Sequence, residues 1–272
     1  MKRLVIFLLL LISATTFGQK SATIAYGDNP NAGHSVQAGD AKIYYEVYGK
    51  GKPVVLLHGG GGVGSIDEMA QFIDSLSKTV QVIAINTRGH GRSEIGHSPV
   101  TYEQKVADVM AAINDVTKDS VVVLGFSDGA YTGYKLASMH PARVKKLIAI
   151  GAGEQVPGLR KVILNTAIDQ SNPYWKKRLA TYPEPQRIPE YLKNLENFYN
   201  TMIVSKELFG NIKCPVLVLA GERDLNAPLA TVIAAYQMIP ISQLGIIPKA
   251  GHVVFIENFP AVWASVAPFI RN

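Results

Sequence analysis

The amino-acid sequence predicts an α/β fold with a mainly parallel central sheet. Short apolar runs recur along the 272 residues, and in every run after the first almost no polar residue interrupts the apolar ones. Strands that are buried on both faces of a sheet have this pattern. The stretches between them carry apolar residues at helical spacing. Strands that alternate with helices in this way indicate a parallel sheet flanked by helices. The predicted strands are 41–48, 53–57, 80–85, 120–125, 144–150, 215–220 and 243–247.

The predicted helices occupy the intervals between these strands, with one exception. The interval 152–211 has no strand-like run and contains helical patches rich in aromatic residues and prolines. It is too long for an ordinary loop in a compact domain, so we predict a helical cap inserted into a single domain that spans 19–272. The segment before residue 48 is predicted to form an antiparallel lead-in. The predicted helices are 66–76, 102–116, 130–139, 227–238 and 261–270.

The first residues predict a cleavable signal peptide at 1–18. Lys2 and Arg3 precede the apolar run 4–12, and small residues follow before a polar segment, which is the pattern of a secretory signal. The run is too short to cross a bilayer as a helix. We therefore expect a periplasmic or secreted protein with no membrane insertion after signal removal.

The amino-acid composition gives no indication of a nucleic-acid partner or of a disulfide. The apolar fraction of 47% suits one large core, and the net charge of +6 comes from scattered basic residues rather than one basic stripe, so no nucleic-acid partner is predicted. Cys214, the single cysteine, precedes a proline and an apolar run, which favours a buried packing role. Oligomeric state does not follow from the sequence.

Ser127 is the predicted nucleophile. It lies in G-F-S-D-G at 125–129, between a predicted strand and a predicted helix. A sharp turn at this point holds the serine in a strained conformation and presents its hydroxyl at the carboxyl end of the sheet, where α/β folds bind ligands. The five-residue motif alone is a weak signal; its place between strand and helix makes it specific.

A serine hydroxyl needs a base and an orienting acid. His252 is the one histidine after the last predicted strand, and Asp224 lies four residues past the strand 215–220, with Glu222 as the weaker alternative. Serine, acid and histidine in this chain order form one of the known arrangements of such triads.

Several segments together resemble the α/β-hydrolase superfamily. They are VVLLHGGGG at 54–62, NTRGHGRS at 86–93, LGFSDGA at 124–130, LAGERD at 219–224 and AGHVVFIENFP at 250–260. The resemblance implies a serine hydrolase, usually an esterase or related acyl hydrolase, with Ser127, His252 and Asp224 as its triad. It implies a small acyl substrate and neither a metal nor an organic cofactor.

The same resemblance implies an oxyanion hole formed by the main-chain N–H of Asp128 and of Gly60 or Gly59. Two hypotheses remain open for the Asp128 side chain. It is either an acid that stabilises the first helical turn, or a partner for a cationic group on the substrate. The second follows from the S-D-G elbow, which is similar to that of the amino-acid-ester hydrolases of the valacyclovirase and biphenyl-hydrolase-like branch.

Two other classes of function remain as alternatives. Gly59-x-Gly61-x-x-Gly64, together with Tyr131-x-x-x-Lys135, imitates an NADP-dependent short-chain reductase in which Arg88 would bind a 2′-phosphate. That interpretation leaves Ser127, Asp224 and His252 unexplained. A hydrolase fold that only binds a ligand is the other alternative.

Overall fold

The computed structural model describes residues 24–164, 168 and 171–271, without the side chain of Tyr174. The predicted signal peptide at 1–18 lies outside the described residues.

Within the described residues, eight strands form one sheet in the order β1-β2-β4-β3-β5-β6-β7-β8. The first two strands and the β2–β4 pair are antiparallel, and every later pairing is parallel. The strands are β1 (Gly33–Ala38), β2 (Ala41–Tyr48), β3 (Pro53–Leu57), β4 (Gln81–Ile85), β5 (Val121–Phe126), β6 (Val144–Ile150), β7 (Val216–Gly221) and β8 (Ser242–Ile247).

Helices cover both faces of the sheet. Residues of α2, α3 and α7 pack in one apolar core, and residues of α1 and α9 pack in the other. The helices are α1 (Ala70–Leu76), α2 (Tyr102–Val116), α3 (Asp128–Met139), α4 (Pro173–Leu179), α5 (Ile188–Thr201), α6 (Lys206–Gly210), α7 (Leu229–Met238), α8 (Val254–Glu257) and α9 (Phe259–Arg271). The predicted fold class is confirmed.

Several predicted bounds differ from the structure by one or more residues, and two differences concern the edge of the sheet and the helix after Ser127. The last strand, β8, is at the edge of the sheet and is partly exposed, so it is not buried on both faces. Helix α3 begins at Asp128, directly after Ser127, rather than at residue 130.

The interval between β6 and β7 contributes α4, α5 and α6. Its only backbone pairing of strand type within the described residues is the bridge between Gln155 and Val204. Side chains of α5, among them Leu192, Leu195 and Tyr199, share the core of α2 and α3. The interval thus lies against the face of the sheet that carries Ser127's helix. Of the helices described, none is both long enough and apolar enough to span a membrane.

Candidate active site

Ser127 occupies a strained turn between β5 and α3. Its backbone has φ 50° and ψ −115°, which is unfavourable for a residue with a side chain. The turn closes because glycines flank it: a Cβ on Gly125 would lie 2.3 Å from the carbonyl oxygen of Gly129, and one on Gly129 would lie 2.3 Å from that of Leu57. The sequence therefore positions the serine hydroxyl beyond the carboxyl end of the sheet.

The structure brings Ser127, His252 and Asp224 together. Nε2 of His252 lies 3.0 Å from Ser127 Oγ, and its Nδ1 lies 2.8 Å from Asp224 Oδ2. The other oxygen of Asp224 accepts N–H bonds from Asn226 and Ala227, both at 2.8 Å. The carboxylate is therefore held from two sides, and it fixes the orientation of the imidazole.

Glu222, the alternative acid, does not contact His252. Its carboxylate accepts the N–H of Lys249 at 2.8 Å on the exposed side of the chain. Asp224 is buried three residues past the end of β7, and its N–H donates to the carbonyl of Gly221.

The loop after β3 lines the same cavity as Ser127, and its two candidate donors, Gly59 and Gly60, differ in their hydrogen bonds. The N–H of Gly59 donates to Oε2 of Glu68 at 2.7 Å, so it is already used. Within the described residues, no acceptor binds the N–H of Gly60 or of Asp128. The Gly60 main chain packs on Asp128, because a Cβ at Gly60 would lie 2.7 Å from Asp128 Cβ. Gly60 and Asp128 thus offer two adjacent free donors.

Two buried histidines brace this loop. His58 accepts the N–H of Thr87 through Nε2 at 3.1 Å, and His90 accepts the N–H of Gly62 at 3.1 Å. Burial lowers the pKa of His58 to about 4 and lowers that of His90 well below its usual value. Both rings are therefore neutral near pH 7, as acceptance of an N–H requires.

A cavity of about 620 Å³ opens above Ser127. Its lining includes Arg160, Lys161 and Glu68, and burial raises the pKa of Glu68. Arg160 is anchored through Nε to Gln155 at 2.7 Å. The apolar part of the lining comprises Val63, Phe126, Val162, Ile163, Leu164, Leu225 and Val253. The volume suits a small organic substrate.

The Asp128 side chain lies in the first turn of α3, as the first of the two hypotheses expects, and it also pairs with a cation of the protein. Its carboxylate is buried, and Oδ2 lies 2.5 Å from Nζ of Lys105, which is equally buried. The carboxylate is thus already paired with a cation of the protein itself.

The reductase pattern does not assemble into a site. Arg88 is buried between Asp108 and Asp40, at 2.8 and 2.7 Å, so it is not available to a 2′-phosphate. Lys135 pairs with Glu103 at 2.7 Å, and it is not among the residues that line the cavity above Ser127.

Residues 52–202 match the family model described as the alpha/beta hydrolase fold. The chain belongs to this family. The 2-hydroxy-6-oxo-2,4-heptadienoate hydrolase of Pseudomonas putida is 27% identical over 266 residues, which cover 85% of this chain and 93% of that protein. The human serine hydrolase BPHL is 25% identical over 80% of this chain and 79% of its own. A solved meta-cleavage product hydrolase from Pseudomonas fluorescens shares the fold, with a TM-score of 0.77 at 20% identity over 89% of this chain and 99% of that one.

Sequence reasoning missed Glu68, Lys105, Arg160 and Tyr199. A signal existed for Lys105, because it falls within the apolar stripe of α2 formed by Tyr102, Val106 and Val109. A lysine within such a stripe is rarely buried without a partner. Glu68 lies in a single turn of 3₁₀ helix, Ile66–Met69, which has no periodicity that would place its side chain.

Proposed function

We propose that this protein is a serine hydrolase that cleaves a small carboxylic ester or a related acyl bond through an acyl-enzyme intermediate. The observation that supports it most is the continuous chain from Ser127 Oγ to His252 at 3.0 Å and from His252 to Asp224 at 2.8 Å. Ser127 and His252 both line the cavity, whose volume suits a small substrate.

In the proposed reaction, Ser127 Oγ attacks the substrate carbonyl carbon while Nε2 of His252 accepts the hydroxyl proton. The oxyanion receives the N–H groups of Gly60 and Asp128. Collapse of the tetrahedral intermediate expels the alcohol, which takes the proton from His252. A water molecule then gives a proton to His252 and attacks the acyl carbon. Collapse of this second tetrahedral intermediate breaks the bond to Ser127 Oγ, which takes the proton back from His252, and the acid is released.

Main-chain N–H donors suit this chemistry because their hydrogen bonds to the substrate oxygen strengthen as negative charge develops on it. The Asp128 N–H is the first of helix α3, so the positive end of the helix dipole adds to it. Loss of one such donor costs about 2.7–4 kcal/mol of barrier in serine proteases.

The test measures steady-state hydrolysis of short p-nitrophenyl esters, with 2-hydroxy-6-oxo-2,4-heptadienoate in parallel, since the Pseudomonas putida relative is named for it. We expect Ser127→Ala to lower kcat by about 10³-fold or more. Ser120→Ala is the matched control, because Ser120 is exposed at the opposite end of β5 and should retain wild-type kcat.

The outcomes separate the alternatives. Turnover by Ser127→Ala at the wild-type rate contradicts the mechanism. Saturable ligand binding without turnover by the wild type would favour the binding-only alternative, and NADPH oxidation would favour the reductase. Turnover of the dienoate alone would keep the triad but change the bond that is cleaved.

We also propose that the chain is exported, on the pattern of residues 1–18. Mass spectrometry of the full chain expressed in a bacterium should find a mature N-terminus near Gln19. An intact Met1 in the periplasmic or secreted fraction contradicts cleavage of the signal, and retention in the cytoplasm contradicts export.

A further inference from the structure

Lys105 lies in a cage beside the nucleophile. Its Nζ is 2.5 Å from Asp128 Oδ2, and the exposed fractions of the two side chains are 2% and 3%. Three aromatic rings surround the same nitrogen, with centroids at 5.8 Å for Tyr102, 5.5 Å for Phe198 and 5.6 Å for Tyr199. A carboxylate together with aromatic faces is the chemistry that recognises an alkylammonium ion.

Stability alone is a poor reason for this arrangement. Two charges lose their hydration when they are buried, and well-packed apolar residues often replace such a pair without loss of stability. The pair is also incompletely bonded, since Asp128 Oδ1 and the Tyr199 hydroxyl, both buried, make no hydrogen bond of ordinary geometry within the described residues. Burial and the charge of Asp128 raise the pKa of Tyr199 well above its usual value, so its hydroxyl keeps its proton.

The location of the pair indicates its role. Asp128 directly follows Ser127, and its main-chain N–H is one of the two donors that would receive the oxyanion. Without a counter-ion, the carboxylate of the same residue would oppose the negative charge that develops on the substrate oxygen. Asp128 and Tyr199 line the cavity above Ser127, so the cage is adjacent to the space that the substrate occupies.

We propose that Lys105 is the built-in occupant of an ammonium site next to the nucleophile. It neutralises Asp128 beside the oxyanion hole, and it excludes substrates that carry an amino group at this position. Lys105 is thus a positioning and specificity residue rather than a catalytic one. This inference rests on the proposed serine-hydrolase function for its kinetic consequence but not for the ammonium site itself.

The first experiment measures binding without catalysis. In Lys105→Ala the lost side chain leaves room for a small cation, and we expect n-propylammonium to raise the Tm saturably. Wild type should not respond, because Lys105 fills the site, and 1-propanol should have no effect on the variant. Lys105→Ala/Asp128→Asn is the matched control, since it has the same space without the carboxylate, and it should not respond either.

The second experiment measures kinetics on a neutral ester. We expect Lys105→Met, which keeps the volume of the side chain, to lower kcat about 10- to 100-fold with a smaller change in KM. The kcat of Lys105→Met/Asp128→Asn should be at least tenfold higher than that of Lys105→Met, because the uncompensated charge is gone. A residue that only supports the fold would not give this recovery.

The third measurement is specificity. We compare the rate of hydrolysis of an aminoacyl ester with the rate for its matched acyl ester. This ratio should be about tenfold higher for Lys105→Ala than for wild type. Added n-propylammonium should restore the kcat of Lys105→Ala on the acyl ester.

The outcomes distinguish this inference from the proposed function. If wild type hydrolyses esters but folded Lys105→Ala binds no propylammonium, or binds it as well as the Asp128→Asn control does, the ammonium site is refuted and the hydrolase stands. If wild type hydrolyses nothing, the binding experiment still decides the site. If Lys105→Ala is recovered only as insoluble protein, refolding with and without propylammonium replaces the thermal shift, and equal yields refute the proposal.

Discussion

Asp128 combines two groups that act in opposite electrostatic senses. In the proposed reaction its main-chain N–H would attract the developing oxyanion, whereas its carboxylate would repel it. The structure separates the two, because the carboxylate turns into the core and pairs with Lys105, while the N–H remains at the start of α3. A single residue can therefore serve the site through its backbone while its side chain is neutralised.

The choice of Asp224 over Glu222 as the orienting acid gives a direct prediction. Asp224→Asn should lower kcat by about 10⁴-fold, the loss that this substitution causes in a serine-protease triad, because the neutral amide favours the wrong histidine tautomer. Glu222→Gln should stay within about twofold of wild type, since Glu222 only accepts the N–H of Lys249. Kinetics on one ester decides it, and a larger loss for Glu222→Gln than for Asp224→Asn would reverse the assignment.

Glu68 should act on the oxyanion hole through Gly59. The carboxylate holds the Gly59 N–H at 2.7 Å, and a hydrogen bond to a charged group is worth about 1.5–3 kcal/mol. We expect Glu68→Ala to lower kcat about tenfold, and Glu68→Gln to lose less because its amide oxygen still accepts the bond. Asp74→Asn, at an exposed acid of α1, is the control. Equal kcat for Glu68→Ala and Asp74→Asn would show that Gly59 needs no anchor.

At the scale of elements, the turn from β5 into α3 determines where the nucleophile lies. β5 is central in the sheet and α3 packs directly on it and on β6. The strand can end and the helix begin within one residue only because Gly125 and Gly129 allow main chains to approach closely.

We therefore predict that Gly129→Ala destabilises the protein. Its Cβ would lie 2.3 Å from the Leu57 carbonyl and 2.5 Å from that of His58, both main-chain atoms, so β3 and α3 must move apart. The expected loss is about 1–3 kcal/mol in the free energy of unfolding, with a larger fractional loss of kcat. Gly210→Ala is the matched control, because no atom lies within 4 Å of its added Cβ. Equal unfolding midpoints in urea for the two variants would contradict the packing account.

The buried side chain of His58, in the loop after β3, should make the free energy of unfolding depend on pH. Burial lowers the pKa of His58 to about 4 in the folded protein, against about 6.5 in the unfolded chain. Below pH 6.5 the unfolded chain binds a proton that the folded protein does not, so the free energy of unfolding falls as the pH decreases towards 4. For His58 alone the loss amounts to about 3 kcal/mol.

Urea unfolding at pH 7 and pH 4.5 tests this dependence. His58→Gln should be less stable than wild type at pH 7, but it should lose about 2–3 kcal/mol less on acidification. His34→Gln changes an exposed histidine of β1 and should follow the wild type. If all three proteins lose the same stability, His58 is not the source of the effect.

For the whole molecule, the sequence was enough to predict the order of strands and helices, because buried parallel strands and amphipathic helices have distinct periods. It also singled out Ser127, Asp224 and His252, and in the structure these three side chains lie within hydrogen-bond distance of one another. These residues follow strand ends, and the carboxyl ends of parallel strands meet at one edge of the sheet.

Contacts between elements were not predictable in the same way. Lys105 and Asp128 are 23 residues apart and meet because α2 packs beside α3, which periodicity alone does not specify. The partial exposure of β8 follows from its place at the sheet edge, and its apolar sequence does not reveal that place. The cavity depends on the interval between β6 and β7, which contributes Arg160 and Tyr199.

The most direct measurement of the central claim is covalent labelling of the wild-type protein with a fluorophosphonate, followed by peptide mapping. Ser127 should carry one label per chain, because His252 lies 3.0 Å from its hydroxyl and activates it for attack on phosphorus. Ser127→Ala should take up none, Ser120→Ala should label like wild type, and Asp224→Asn should label far more slowly. A label on any other residue, or undiminished labelling of Ser127→Ala, would contradict the assignment of Ser127 as the nucleophile.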